Sequence, residues 1–254
     1  MDSGERFADY LSSLLPRRIG IREFRRDMAR QLRANDRFIK RMVNGRLPPP
    51  RGRPDETLQQ ALQPLVHGRR SAAFVCPHWG DYISTFRAVA HALPETSRFI
   101  TLRGNRWNEQ EDLLWAALCR ERTIVVHRTS EKSGLAPVLR EMRAGSHLFV
   151  LFDLFSDFGE TQQVEFFGAG LRMTHGWAKL CHLGQSVVVQ LAPVSLQRES
   201  VQIFDVLDSR MFDGRDDFVR SCMRSAGRSL RELVAENPAY WFMWEHWDKY
   251  TAHG

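Results

Sequence analysis

The chain has 254 residues, of which 43% are hydrophobic and 26% charged, so a sizeable core of ordinary soluble composition can form. No run of 18 apolar residues occurs, and Met1-Asp-Ser-Gly-Glu-Arg6 has no signal-peptide core. These features argue against a membrane span and against export. The expected location is the cytoplasm, at most peripheral on the inner membrane face.

The net charge of +6 is unevenly placed. Residues 1–70 hold 16 Lys/Arg against 8 Asp/Glu, and residues 71–254 hold 20 against 22. The basic part is helical by periodicity. Phe7, Tyr10, Leu11 and Leu14 mark a helix over 4–15, and Phe24, Met28, Leu32, Phe38 and Met42 mark another over 21–43. Leu47-Pro-Pro-Pro-Arg-Gly-Arg-Pro54 breaks the pattern, and a further helix runs from Asp55 to about His67. The arginines of this region suit an acidic carrier protein or an anionic membrane surface, or form a solvated helix face. No nucleic-acid motif accompanies them, so nucleic acid is not an expected partner.

From Ser71 strands and helices alternate. Strands are expected at 72–76, 97–102, 123–127, 147–152, 187–193 and 201–206. Helices are expected at 82–93, 108–120, 134–144, 174–183 and 212–235, with 241–249 closing the chain. The alternation predicts an α/β fold: a mostly parallel central sheet with helices on both faces, preceded by an N-terminal helical region. The whole chain reads as a single domain, with 1–70 as its basic helical part and 71–254 as its α/β core. In such sheets sites form beyond the C-terminal ends of the strands. His78, Arg103, His127, Arg128 and Asp153 all fall at or just past predicted strand ends.

Cys76, Cys119, Cys181 and Cys222 are widely spaced, without the pairing that marks a metal site. They read as reduced thiols, and no metal or bound organic cofactor is expected.

The stretch Phe74-Val-Cys-Pro-His-Trp-Gly-Asp-Tyr82 carries the chemistry. A strand here delivers His78 to the mouth of a helix, where free backbone N–H groups can stabilise an oxyanion. Asp81, three residues on, either orients His78 or caps the helix. Trp241, Trp244 and Trp247 recur every three residues, as a core-facing stripe or as a lipid-interface stripe.

That stretch resembles the Pro-His-Phe-Gly-Asn-Trp-Glu block of the lipid A biosynthesis lauroyl/myristoyl acyltransferase family. Further blocks resemble the family in order: Ile100-Thr-Leu-Arg-Gly-Asn105, Arg128-Thr-Ser-Glu-Lys-Ser-Gly134, Val150-Leu-Phe-Asp153, Val164-Glu-Phe-Phe-Gly168, Thr174-His-Gly-Trp-Ala-Lys-Leu180 and Pro238-Ala-Tyr-Trp-Phe-Met-Trp-Glu-His-Trp247. The likeness spans roughly residues 70–250. It implies an acyltransferase in which His78 activates a hydroxyl or amine acceptor for attack on an acyl thioester. The donor would be an acyl-carrier protein or acyl-CoA.

The chain departs from the family in two places. The acid expected five positions after the histidine is Ile83, and the usual N-terminal membrane helix is replaced by a basic amphipathic one. Asp81 or Glu165 is expected to supply the missing acid, Glu165 as in some mannoside acyltransferases of the family; otherwise catalysis is lost or altered. Arg103 and Arg128 are candidates for binding phosphate or phosphopantetheine, or for surface salt bridges. Asp153 is expected to cap its turn or orient Arg128. Thr174 is expected as a helix N-cap at the site's rim, and Phe167, with Phe152, Phe155 and Phe166, as the lining of an acyl channel. The missing membrane helix suggests a soluble acceptor, such as a peptide or a natural-product intermediate. The alternatives are a catalytically silent homologue that binds acyl chains or a carrier protein, and a thioester hydrolase or cyclase on the same fold.

Overall fold

The computed structural model describes residues 12–13, 20–46, 58, 60, 62–63, 70–104, 109–128, 134–195 and 198–251. The helices expected over 4–15 and 55–67 and the proline-rich stretch 47–54 lie mostly outside these. The described residues of those two helices are helical, and Leu58 and Leu62 are buried in the core.

Six strands form one sheet: β1 (Ala72–Cys76), β2 (Arg98–Arg103), β3 (Thr123–Arg128), β4 (His147–Leu151), β7 (Val187–Ser195) and β8 (Arg198–Asp208). Their spatial order is β3-β2-β4-β1-β7-β8. All neighbours are parallel except β8, which runs antiparallel to β7 at the edge. The connecting helices are α2 (Tyr82–Ala92), α3 (Glu109–Glu121), α4 (Ala136–Arg143), α5 (Gly176–Leu183) and α6 (Arg215–Glu236). The described N-terminal helix is α1 (Ile21–Val43), and α7 (Trp247–Thr251) closes the chain. This is the expected mostly parallel α/β architecture.

Alternate side chains of each strand enter different cores, as the two-residue period requires. Ala73 and Val75 pack with α4, α5, α6 and the C-terminal segment. Ala72, Phe74 and Cys76 pack with α2 and α3. Both faces of the sheet are therefore covered, which is why its strands read as near-continuous apolar runs. Helix α1 joins the two layers, with Phe24 in the first core and Met42 in the second.

One element was not legible in the sequence. Residues 161–174 form an antiparallel hairpin, β5 (Thr161–Phe166) and β6 (Ala169–Thr174), separate from the main sheet. Its turn is Phe167-Gly168, both in the left-handed region (φ 51° and 78°), which is the two-residue hairpin geometry. The hairpin lies close against α6. A Cβ on Gly227 of α6 would stand 3.0 Å from Val164 Cβ, so the absent side chain permits the approach.

His147, buried at the start of β4, accepts from the Ala72 N–H through Nδ1 at 3.2 Å. Burial lowers its pKa to about 4, against 6.5 for a free histidine. Between these values the unfolded chain binds the proton that the folded chain refuses, so stability falls as pH drops through that window. The full loss should approach about 3 kcal/mol in order of magnitude. Thermal melting followed from pH 7 to 4 should show the decline. His147→Asn, which keeps a nearby acceptor, should be less stable at pH 7 but should show a flatter profile. An unchanged slope in that variant would assign the acid sensitivity to another group.

Candidate active site

Two loops meet at the C-terminal edge of the sheet. In the parallel pair β1–β4, Cys76 stands opposite Leu151. The ladder continues one step, with Phe152 N–H donating to Cys76 O at 3.1 Å. The next step brings His78 level with Asp153, each two residues past its strand. The His78 backbone N–H donates to Asp153 Oδ2 at 2.9 Å, and His78 Nδ1 lies 2.8 Å from Asp153 Oδ1. A carboxylate only accepts, so Nδ1 carries the hydrogen and Nε2 keeps its lone pair. The His78 side chain is 18% exposed, whereas that of Asp153 is fully buried.

A third donor completes the carboxylate's shell. Trp241 Nε1–H reaches Asp153 Oδ2 at 2.8 Å, and the Tyr250 hydroxyl donates to the Asp153 backbone carbonyl. Burial and the neighbouring Asp153 push the Tyr250 phenol's pKa up, so it stays protonated and able to donate. Trp241 is placed by its backbone. Gly80 N–H donates to Tyr240 O and Phe242 N–H to His78 O, both at 2.9 Å, around the Trp79–Trp241 bridge. Gly80 has φ 58°, and a Cβ there would stand 3.1 Å from the Pro193 ring. This tight turn needs glycine.

Cys76 lies just before His78 but is no nucleophile. Burial first, and Asp153 second, raise its pKa well above the usual range, so it stays a thiol. Among the described residues no cluster of three or more His, Cys, Asp or Glu is placed to hold a metal ion.

Asp153 is thus the carboxylate that meets His78, in the place expected for Asp81 or Glu165. Asp81 takes its other expected role and caps α2, accepting from Ser84 N–H at 3.0 Å. Glu165 points from β5 to α6, where it pairs with Arg231, and it accepts from Gly168 N–H at 3.0 Å. Ile83, where the family has its acid, is buried in the α2–α3 core. Arg103 is buried at the end of β2 and pairs with Asp112. Arg128 stands opposite it in β3, with its side chain outside the described set. Thr174 ends β6, and the residue at the N-cap of α5 is His175, so the expected cap moves by one position.

The aromatic residues also differ from expectation. Phe152, Phe155 and Phe166 are at most 1% exposed and pack in the core behind Asp153. Phe166 packs at a tilt against Trp241, with centroids 5.6 Å apart, and Phe167 sits in the hairpin turn against Phe166. They support the dyad and do not line an open channel. A cavity of about 440 Å³ is lined by His182, Leu183, Arg215 and Arg220 among others. It lies toward the start of β7, at the sheet edge opposite His78.

The tryptophan stripe is core-facing: Trp241 and Trp244 are buried, and Trp247 packs against them. Sequence spacing did not identify Trp241 as a site residue. Strand order was the missing signal, because only adjacency of β1 and β4 brings His78 and Asp153 together.

The chain matches no family model and no curated protein, so the acyltransferase resemblance rests on the quoted residues alone.

The assignments separate by mutation. Asp81→Ala should cost about 1 kcal/mol of stability, the usual worth of an N-cap, in chemical denaturation. Glu165→Gln, at an exposed ion pair, should change stability by less than about 1 kcal/mol. Neither should alter the His78 Nδ1–H proton resonance followed by NMR, whereas Asp153→Asn should move or abolish it. A shift caused by Asp81→Ala and not by Asp153→Asn would overturn the pairing.

Proposed function

We propose that the protein is an acyltransferase that moves an acyl group from a carrier-protein or coenzyme A thioester to a hydroxyl or amine acceptor. The observation that carries this reading is the His78 Nδ1–Asp153 Oδ1 contact of 2.8 Å, with the other ring nitrogen left as the base. The ordered family-like blocks supply the substrate class.

In this mechanism Nε2 of His78 takes the proton from the acceptor O–H or N–H as the acceptor atom attacks the thioester carbonyl. A C–O or C–N bond forms. The tetrahedral intermediate then collapses with cleavage of the C–S bond, and His78 returns the proton to the leaving thiolate. Asp153 fixes the tautomer and faces the imidazolium that forms in between. Two backbone N–H groups near the site, those of Gly80 and Ser84, are already bonded within the fold. The oxyanion must therefore be held by other donors.

No described helix is long and apolar enough to cross a membrane. That fits a soluble acceptor, such as a peptide or a natural-product intermediate, met in the cytoplasm or at the inner membrane face. The four cysteines are free, which agrees with a reducing compartment.

A second reading has an observation in its favour. The aromatic side chains expected to line an acyl channel fill the core, which fits a silent homologue that binds a carrier protein. Thiol release and acceptor mass shift, measured with acyl-CoA and acyl-carrier donors, decide between the two. His78→Ala should lower transfer by about 10²–10⁴. Asp153→Asn should cost a comparable factor through the wrong tautomer. A folded His78→Ala protein with full activity would sink this mechanism. Thiol release without acceptor acylation would point to hydrolysis.

A further inference from the structure

Arg22, Arg26, Arg30, Arg33, Arg37 and Arg41 follow one another along α1 at steps of three or four residues. At 1.5 Å per residue they form a band about 28 Å long on one side of the helix. All six are exposed, and exposed Lys40 lies beside them. Asp27 lies 3.2 Å from Arg26 and 3.9 Å from Arg30, and Asp36 takes Lys40 at 2.8 Å. No ion pair forms at Arg33 or Arg37 among the described residues.

The opposite side of α1 is committed. Phe24, Gln31 and Met42 are buried, with Met28, Phe38 and Ile39 packed against the cores. Leu32 is the one large apolar side chain described as exposed on this helix, and a single residue makes no apolar face to lay into a bilayer. Residues 71–254 hold 20 Lys/Arg against 22 Asp/Glu, so the positive charge does not spread over the molecule as a polyanion-wrapping surface would require. What remains is a straight row of cations of one helix's width. A partner helix with carboxylates at three- or four-residue spacing matches that row in length and pitch.

The row backs directly onto the site. Asn35 Nδ2–H donates to Gly80 O at 3.4 Å, and Gly80 lies two residues past His78. Gln31, on the same inward side, has its carboxamide nitrogen 4.0 Å from where a Gly80 Cβ would stand. A protein seated on the outer side of α1 is thus about one helix diameter, roughly 10 Å, from the His78 loop.

We propose that the arginine face of α1 is the docking surface for a helix of an acidic carrier protein that presents its acyl thioester to His78. This rests on the acyltransfer reading above and selects a protein-borne donor over a free one.

The test titrates a purified acyl carrier protein into the full chain and into an Arg33→Glu/Arg37→Glu variant whose melting temperature is checked against the parent. The parent should bind, with affinity falling as salt rises. The double reversal should weaken binding about tenfold or more. His78→Ala should bind as the parent does. Equal binding by parent and double variant overturns the proposal. So does binding of mixed phosphatidylcholine–phosphatidylserine vesicles, or of a short DNA duplex, in place of the carrier.

A small acyl-pantetheine thioester separates this from the reaction itself. Parent protein that transfers from the small thioester but does not bind the carrier counts against the docking alone. Parent protein that binds the carrier but transfers from neither donor counts against the reaction alone.

Discussion

A single buried carboxylate holds the site together. Asp153 is fully buried, and its two oxygens receive the His78 ring, the His78 backbone N–H and the Trp241 indole. A buried charge without partners costs several kcal/mol, so these donors are a condition for Asp153 to sit there as an anion. The condition reaches far along the chain. It ties the loop after β1 to the loop after β4 and both to the C-terminal segment. That segment adds the Tyr250 hydroxyl on the Asp153 carbonyl, and its aromatic rings close the core beneath. Loss of Trp241 would remove a large buried side chain and leave Oδ2 short of a donor, two costs that fall on the same residue.

The family resemblance places the histidine's partner one helical turn or so downstream, on α2. In this chain position 83 turns inward to the α2–α3 core, where isoleucine is the suitable residue. An acid at that position would face apolar neighbours. The sheet supplies the carboxylate instead. The β1–β4 register sets His78 and Asp153 side by side, held by the backbone ladder and independent of any one helix turn. Asp81 acts on the helix instead, where its short side chain meets the Ser84 N–H.

Helix α1 carries opposite obligations on its two sides. Its inner side seats on the His78 loop through Asn35 and packs against the 238–240 turn. That seat has a cost, because both polar atoms of the buried Gln31 carboxamide lack a hydrogen-bond partner among the described residues. The apolar contacts of Phe24 and Met42 offset it. The outer side holds nearly all of the helix's positive charge, exposed one helix diameter, about 10 Å, from the His78 loop.

The sequence by itself determined the local features. Apolar runs placed six strands and their helices within a few residues, because burial on both faces of a sheet writes itself into consecutive side chains. The strand that ends two residues before His78 was legible for that reason, and so was the helix that begins at Tyr82. The β5–β6 hairpin was not. Its alternation is short, Val164 and Phe166 inward with Gln163 and Glu165 outward, and its Phe-Gly turn lacks the Asn-Gly or Asp-Gly signature. Missing it left Glu165 free in the sequence reading to approach His78, whereas the hairpin carries it to Arg231 on α6. The identity of the carboxylate that meets His78 was decided by tertiary structure alone. Periodicity reports which face of an element is buried but not which strand lies beside which. Only the order β2-β4-β1-β7 sets Asp153 against a histidine 75 residues away and brings Trp241 to it from 88 residues further on.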